Sequence, residues 1–199
     1  MRITFSKNNW ESYFFYAKSY RFDEDVKFSQ EEDYITNKIN HSFPNGFEYI
    51  NIFTKEKFTY GTVISSTMSF EEYGAPMITF CNHFDIDKFN NYRMNNYFEI
   101  VLYENGINIW YLYLDDNICK WIKLASYNFN VSKIDKHILT ATILKDHLKI
   151  GVDDKLFCLK LSEINNLDIP NNVKTFPNDF HIGVGACEQI NKIFDITIK

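Results

Sequence analysis

Hydrophobic and polar residues alternate along most of the chain in short runs, a pattern typical of β-strands with one buried face. Turn-forming residues separate the runs at intervals that suit a two-sheet sandwich. Only residues 84–90 and 162–167 suggest helix, and each segment is one or two turns long. The pattern predicts strands near residues 2–5, 11–17, 33–38, 47–54, 58–70, 76–82, 96–104, 107–114, 118–125, 137–144, 147–152, 155–160, 180–187 and 191–198.

The clearest local signal is the pair Asn105-Gly106, which lies between two alternating runs. Such a pair favours a type I′ hairpin turn, because that turn needs positive φ at both central positions. A two-residue turn fixes the strand register. The predicted register pairs Glu104 with Ile107, Tyr103 with Asn108, Val101 with Trp110 and Glu99 with Leu112.

This register divides the hairpin into two faces, since successive side chains of a strand point to opposite sides. One face is apolar, and we expect it to be buried in the core; it contains Phe98, Ile100, Leu102, Ile107, Ile109 and Tyr111. The other is mixed and contains Tyr97, Glu99, Val101, Tyr103, Asn108, Trp110 and Leu112. A second turn at Asp116-Asn117 brings in a third strand, which places Trp121 opposite Leu112 and Lys123 opposite Trp110.

The mixed face combines flat aromatic rings with hydrogen-bonding side chains, as saccharide binding requires. The C–H face of a sugar ring stacks on an aromatic ring, while the hydroxyl groups need polar partners. The alternatives are that these rings pack under a neighbouring loop, or that the register differs by one residue and exchanges the faces. The candidate ligand-binding residues are Trp110, Trp121, Tyr103, Tyr97, Asn108, Glu99 and Lys123.

A second cluster consists of His83, Asp85 and Asp87, which alternate along one segment. If the segment is extended, the three side chains project from the same side. Such a set suits Ca²⁺ or a transition metal. The alternative is a polar loop that follows a buried strand, and in that case the protein needs no cofactor.

Glycoside hydrolysis requires two catalytic carboxylates, so candidate carboxylates must be considered in pairs. Glu99 and Glu104 lie five positions apart on one strand and therefore on opposite faces. Glu99 is the remaining candidate, with Tyr103 or His83 as an assisting group. The sequence contains no recognisable Ser/His/Asp or Cys/His signature, phosphate-binding glycine loop or His-Glu-x-x-His motif.

Length and composition limit the fold class, the kinds of partner and the cellular location. A chain of 199 residues with 45% hydrophobic and 18% aromatic content predicts one all-β sandwich domain over residues 1–199. The net charge of −5 and the scattered basic residues argue against nucleic acid as a partner. No signal peptide or membrane-spanning run is visible, so we expect a cytoplasmic protein without a membrane partner. Four widely spaced cysteines are expected to be reduced and mostly buried.

Several of these segments together resemble the strands of concanavalin-A-like lectin and glucanase domains. They are residues 58–64 (FTYGTVI), 70–80 (FEEYGAPMITF), 97–114, 181–187 (HIGVGAC) and 193–198 (IFDITI). The resemblance covers roughly residues 45–199 and implies a jelly-roll β-sandwich with a carbohydrate ligand. Glucanases of this superfamily carry Glu-x-Asp-x-Glu or Glu-x-Asp-x-x-Glu on an inner strand. The nearest segment here, Glu31-Glu-Asp33-Tyr-Ile-Thr36, lies early in the chain and lacks the last Glu, which argues against hydrolysis by that mechanism.

The leading hypothesis is a lectin-like, carbohydrate-binding sandwich that uses the mixed face. One alternative is a diverged glycoside hydrolase or polysaccharide lyase that acts in the same groove. Another is a non-catalytic module whose aromatic face binds a protein or a second copy of the chain, so both a monomer and a homodimer are open.

Overall fold

The computed structural model describes residues 1–6, 10–22, 26–37, 48–116, 118–164 and 175–199, which form two β-sheets packed face to face. None of the helices in the described part is long and apolar enough to cross a membrane. The strands are β1 (Arg2–Thr4), β2 (Phe14–Ser19), β3 (Ser29–Gln30), β4 (Ile35–Thr36), β5 (Glu48–Thr59), β6 (Val63–Phe70), β7 (Ala75–Ile86), β8 (Tyr92–Tyr103), β9 (Gly106–Asp115), β10 (Ile118–Asn128), β11 (His137–Ile143), β12 (His147–Val152), β13 (Lys155–Lys160), β14 (Asp179–Glu188) and β15 (Asn191–Ile198). Two short 3₁₀ helices span Trp10–Ser12 and Leu161–Glu163.

The first sheet has the strand order β13-β12-β11-β6-β15-β4-β3, and β1 also pairs with β15. All of its pairings are antiparallel. Chain neighbours such as β11, β12 and β13 are joined by tight turns, whereas β15 returns from the end of the chain to lie beside β6. This crossing of early and late strands is what a jelly-roll topology requires.

The second sheet contains β10, β9, β8, β7, β14, β5 and β2. It curls so far that β2, already paired with β5, also pairs in parallel with the start of β8 through Ala17 and Tyr92. Five strands therefore form a closed ring, and β9 and β10 extend from β8 as a flap. Asn96, with φ of 56°, lies where β8 exchanges β2 for β9 as its neighbour.

The main hydrophobic core lies between the two sheets. All six residues predicted for the apolar face of the β8–β9 hairpin belong to it, as do Ile122 and Leu124 of β10. A second cluster fills the inner face of the five-stranded ring, where Phe53, Cys81, Met94 and Tyr97 are buried. The second sheet therefore buries side chains on both faces at this end.

The register of the β8–β9 hairpin differs from the predicted one by two residues. The turn is formed by Glu104 and Asn105, so Val101 pairs with Asn108 and Glu99 with Trp110. Only Gly106 adopts positive φ, at 125°, and it begins the returning strand. A shift of two residues leaves each side chain on its predicted face, because the side-chain period of a strand is two.

Most of the other predicted strands coincide with observed strands, but β3 was not predicted, and residues 84–90 are not helical, because β7 continues to Ile86 and a turn follows. The predicted strand 58–70 is divided by a turn at Gly61, and the predicted strand 11–17 begins with a 3₁₀ turn at Trp10. Trp121 pairs with Leu112 and Lys123 with Trp110, as expected. All four cysteines are free, although Cys158 is exposed. Residues 38, 47, 117 and 165–167, which belong to predicted strands, a turn and a helical segment, lie outside the described residues.

Candidate functional site

An open pocket of about 360 Å³ lies on the inner face of the second sheet, beside the β9–β10 flap. The pocket lies beyond the end of the five-stranded ring, where the second hydrophobic cluster ends. Small side chains at Ala75 and Cys187 on the neighbouring strands leave the space free. The pocket is lined by Arg21, Ala75, Met77, Glu99, Val101, Tyr103, Asn108, Trp110, Trp121, Cys187 and Glu188.

Two tryptophans form one wall of the pocket. Trp110 on β9 lies between its strand partners Glu99 on β8 and Lys123 on β10. Trp121 is also on β10, two positions before Lys123, and therefore lies on the same face of the sheet. The two ring centroids lie 5.9 Å apart with an interplanar angle of 49°. Both side chains are half-buried, so part of the ring surface is available to a ligand.

The floor contains a buried chain of hydrogen-bonding groups that ends at Glu99. The Tyr49 hydroxyl donates to the Glu99 carboxylate and lies 3.1 Å from the Tyr97 hydroxyl. Tyr97 in turn donates to Ser19 Oγ at 3.1 Å. These residues come from β5, β8 and β2, so the network depends on the closure of the ring.

Burial controls the acidity of Glu99. Its side chain is 1% exposed, and the loss of hydration raises its pKa to about 7, while the hydrogen bond from Tyr49 acts in the opposite direction. The indole N–H of Trp121 also lowers this pKa, although it is buried and makes no hydrogen bond of good geometry. Glu99 therefore exchanges a proton near neutral pH, as a general acid or base would.

A second carboxyl group, that of Glu188, lines the same pocket from the end of β14. Burial raises its pKa as well. Glu104, by contrast, lies in the turn after β8, not on the strand as predicted, and forms an ion pair with Lys133 at 2.7 Å. Glu104 does not line the pocket, and the second carboxyl group there comes from β14.

The turn that follows β2 covers one edge of the pocket. Phe22 packs between Tyr49 and Trp121, with ring centroids 5.1 and 6.2 Å away. The guanidinium carbon of Arg21 lies 4.3 Å from the centre of the Trp121 ring. The turn therefore places the Arg21 cation and the Phe22 ring against Trp121, which is part of the tryptophan wall of the pocket.

The structure places the seven predicted ligand-binding residues at three depths. Trp110, Trp121, Tyr103, Asn108 and Glu99 line the pocket. Tyr97 is 1% exposed and lies beneath the pocket, because the ring of strands closes over it. Lys123 is exposed at the rim, with Nζ 5.0 Å from the centre of the Trp110 ring.

The three predicted metal ligands do not come together as a metal site. Asp87 accepts hydrogen bonds from Asn91 and from Arg93 Nε, while Asp85 accepts one from the Tyr20 hydroxyl. No group of three or more His, Cys, Asp or Glu side chains that could hold a metal occurs in the described ranges. His83 lines a separate cavity with Phe15, Phe84 and His181, so it does not assist Glu99.

Sequence reasoning missed three residues of the site, Tyr49, Glu188 and Arg21. Each lies far along the chain from the hairpin, and only the closure of the second sheet brings it to the pocket. A weak signal existed in the segment HIGVGAC, because Gly183 and Gly185 on β14 face large inner side chains. A Cβ atom at Gly185 would lie 2.9 Å from the backbone carbonyl oxygen of Ile50, so glycine is required for this close packing of β14 against β5.

The fold is shared with carbohydrate-active proteins of known structure. A glycoside hydrolase family 16 endo-glucanase from Bacteroides ovatus superposes with a TM-score of 0.62 at 11% identity, over 100% of this chain and 99% of that chain. LamAcat from Zobellia galactanivorans gives a TM-score of 0.57 at 12% identity, over 100% and 96% of the two chains. The carbohydrate-binding module CBM66 from Bacillus subtilis gives 0.54 at 10% identity, over 90% and 94%.

Sequence comparison gives no such match. No protein-family model matches the chain, and no curated protein matches it. Identities of 10 to 12% carry information about the fold alone. The chain therefore has the concanavalin-A-like jelly-roll fold, which this endo-glucanase and this carbohydrate-binding module share.

Proposed function

We propose that the protein binds a carbohydrate in the pocket beside the β9–β10 flap. The observation that carries the proposal is the joint placement of Trp110, Trp121 and the buried Glu99 around one open pocket. A sugar ring presents an apolar C–H face and polar edges, and the pocket offers aromatic rings beside carboxyl and amide groups. The shared fold with a carbohydrate-binding module and an endo-glucanase supports the same ligand class.

The polar groups of the pocket are fixed before a ligand arrives. Asn108 Oδ1 accepts a hydrogen bond from Ser126 Oγ and lies 3.4 Å from the Tyr103 hydroxyl. Glu99 is held by Tyr49. Because these side chains are already ordered, binding costs little additional conformational entropy.

The experiment is a glycan array followed by calorimetric titration of the saccharides that bind. We expect Trp110→Ala and Trp121→Ala each to weaken binding roughly tenfold or more, since each removes a stacking surface. Phe89→Ala is the matched control, because Phe89 is an aromatic residue 70% exposed and lies outside the pocket. Absence of saccharide binding, or equal binding by all three variants, would refute the proposal.

A second candidate function, glycoside hydrolysis, is favoured by the two carboxyl groups in the pocket. Glu99, with a pKa of about 7, would protonate the leaving-group oxygen, and Glu188 on β14 would act as base or nucleophile. The test is release of reducing ends from the polysaccharides identified by the array. Hydrolysis requires that Glu99→Gln and Glu188→Gln each abolish turnover, while a pure binding protein shows no turnover in the wild type.

A further inference from the structure

The chain contains three arginines, and only Arg21 lies in the pocket. Arg2 is exposed on β1 of the other sheet. Arg93 is 8% exposed and forms an ion pair with Asp87, its Nε lying 2.9 Å from Oδ2. Arg93 therefore has a structural role, whereas the guanidinium of Arg21 forms no ion pair with any other described residue.

The backbone that carries Arg21 is held firmly in place. Arg93 Nη1 donates to the carbonyl oxygens of Ser19 and Phe22, at 3.1 and 3.2 Å, and so fixes both ends of the turn. The Arg21 amide donates to Ser19 Oγ at 3.2 Å. The Phe22 ring is packed against Tyr49. These contacts fix the position of the Arg21 Cα at the pocket mouth.

The side chain of Arg21 packs against two aromatic rings. The guanidinium carbon lies 4.3 Å from the centre of the Trp121 ring and 5.3 Å from that of Phe22. Within the described residues, the guanidinium has no hydrogen bond to protein and no ion pair. An arginine over an aromatic face keeps its N–H groups at the edge, where a planar carboxylate or a sulfate can accept two of them.

The charges around the pocket favour an anionic ligand at mildly acidic pH. Lys123 places a second cation over Trp110, with Nζ 5.0 Å from the ring centre. Among the described residues that line the pocket, the acidic groups are Glu99 and Glu188, and burial raises the pKa of both carboxyls. Since the pKa of Glu99 is about 7, this carboxyl is mostly neutral at mildly acidic pH, and the two cations Arg21 and Lys123 face less than two full negative charges in the pocket lining.

We infer that Arg21 makes this pocket selective for acidic saccharides. The guanidinium binds the carboxylate or sulfate group of the sugar, while the ring of that sugar lies against the Trp110 and Trp121 wall. This inference rests on the proposed carbohydrate-binding function and adds the charge class of the ligand to it.

The test compares saccharides that share one sugar skeleton and differ at the acidic group, by calorimetry at about pH 5.5, where sugar carboxylates are ionised. One pair is tri-galacturonic acid and its fully methyl-esterified form. The other is lactose 3′-sulfate and lactose, which separates sulfate from carboxylate recognition. We expect the acidic member of at least one pair to bind roughly tenfold more tightly than its neutral partner.

Substitutions of Arg21 test whether this residue causes the preference for acidic over neutral saccharides. Arg21→Gln is expected to bind both members of a pair equally, and Arg21→Lys to keep part of the preference, since lysine carries the charge without the planar fork. Arg2→Gln is the matched control, because it removes an exposed arginine from the other sheet and should retain the full preference.

The outcomes separate this inference from the function on which it rests. If neutral saccharides bind as tightly as acidic ones, or if Arg21→Gln keeps the preference, Arg21 selectivity is wrong while carbohydrate binding stands. If no saccharide on the array or in these pairs binds, both are wrong. Circular dichroism and thermal unfolding of each variant identify any loss of affinity that results from misfolding.

Discussion

The hydroxyl group of Tyr49 on β5 donates a hydrogen bond to the buried carboxylate of Glu99 on β8. The two strands are not neighbours in the second sheet, since β7 and β14 lie between them. The curvature of the sheet brings the two side chains together across its inner face. The hydrogen bond gives the Glu99 carboxylate a polar partner in a region from which water is largely excluded.

Burial of Glu99 predicts a specific pH dependence of stability. Its pKa is about 7 in the folded protein against an ordinary value of 4.5, so the folded state binds the proton more tightly than the unfolded chain. The resulting stabilisation is complete below the ordinary pKa and is lost as pH rises through 7. Between pH 5 and 8 the loss amounts to roughly 2 to 3 kcal/mol.

Glu99→Gln removes this titration and isolates its effect. We expect the free energy of unfolding of the wild type, measured relative to that of Glu99→Gln, to fall by roughly 2 to 3 kcal/mol from pH 5 to pH 8. Urea unfolding of both proteins at several pH values provides the measurement. A difference that stays constant over this range would show that Glu99 titrates as an ordinary exposed carboxyl group.

Tyr49→Phe is expected to destabilise the protein more at pH 8 than at pH 5. At pH 8 Glu99 is ionised, and loss of a charge-assisted hydrogen bond in the interior costs roughly 2 to 3 kcal/mol, against about 1 kcal/mol when the carboxyl is neutral. Tyr103→Phe is the control, because its hydroxyl contacts are long, at 3.4 and 3.5 Å. Equal costs for Tyr49→Phe at the two pH values would contradict the assignment.

Gly106 should not tolerate a side chain, whereas Gly61 should. Gly106 has φ of 125°, and a Cβ atom there would lie 2.0 Å from the carbonyl oxygen of Tyr127, so Gly106→Ala should cost roughly 3 kcal/mol or more. Gly61 has φ of 87°, and a Cβ atom there would meet no other atom within 4 Å, so Gly61→Ala should cost about 1 kcal/mol. Chemical denaturation of the two variants measures the difference.

The core face of the β8–β9 hairpin predicts a large stability difference between two aliphatic truncations. Ile100 is fully buried between the sheets, and Ile100→Ala should lower the free energy of unfolding by roughly 2 to 5 kcal/mol. Leu156 on the edge strand β13 is 83% exposed, and Leu156→Ala should change it by less than about 0.5 kcal/mol. Similar costs for the two changes would contradict the assignment of the core face.

The faces of the hairpin were predictable even though its turn was placed incorrectly. Asn105-Gly106 indicates a hairpin, but the pair does not specify whether glycine lies inside the turn or begins the next strand. The observed register differs by two residues, and Ile100 and Ile109 remain in the core because an even shift preserves side-chain direction. Local alternation therefore determines which residues are buried more reliably than it determines which residues pair.

The amino-acid sequence by itself determined the all-β class, most strand positions, the two faces of the β8–β10 meander and the aromatic wall of the candidate site, because each depends on periodicity within a few residues. Only the tertiary structure decided that Tyr97 is buried, that Tyr49 contacts Glu99, that Arg21 contacts Trp121 and that Glu188 lines the same pocket. Those contacts arise from the curvature that pairs β2 with β8 and closes the ring. Sheet curvature and long-range strand pairing depend on the packing of the whole chain, and no short segment contains that information.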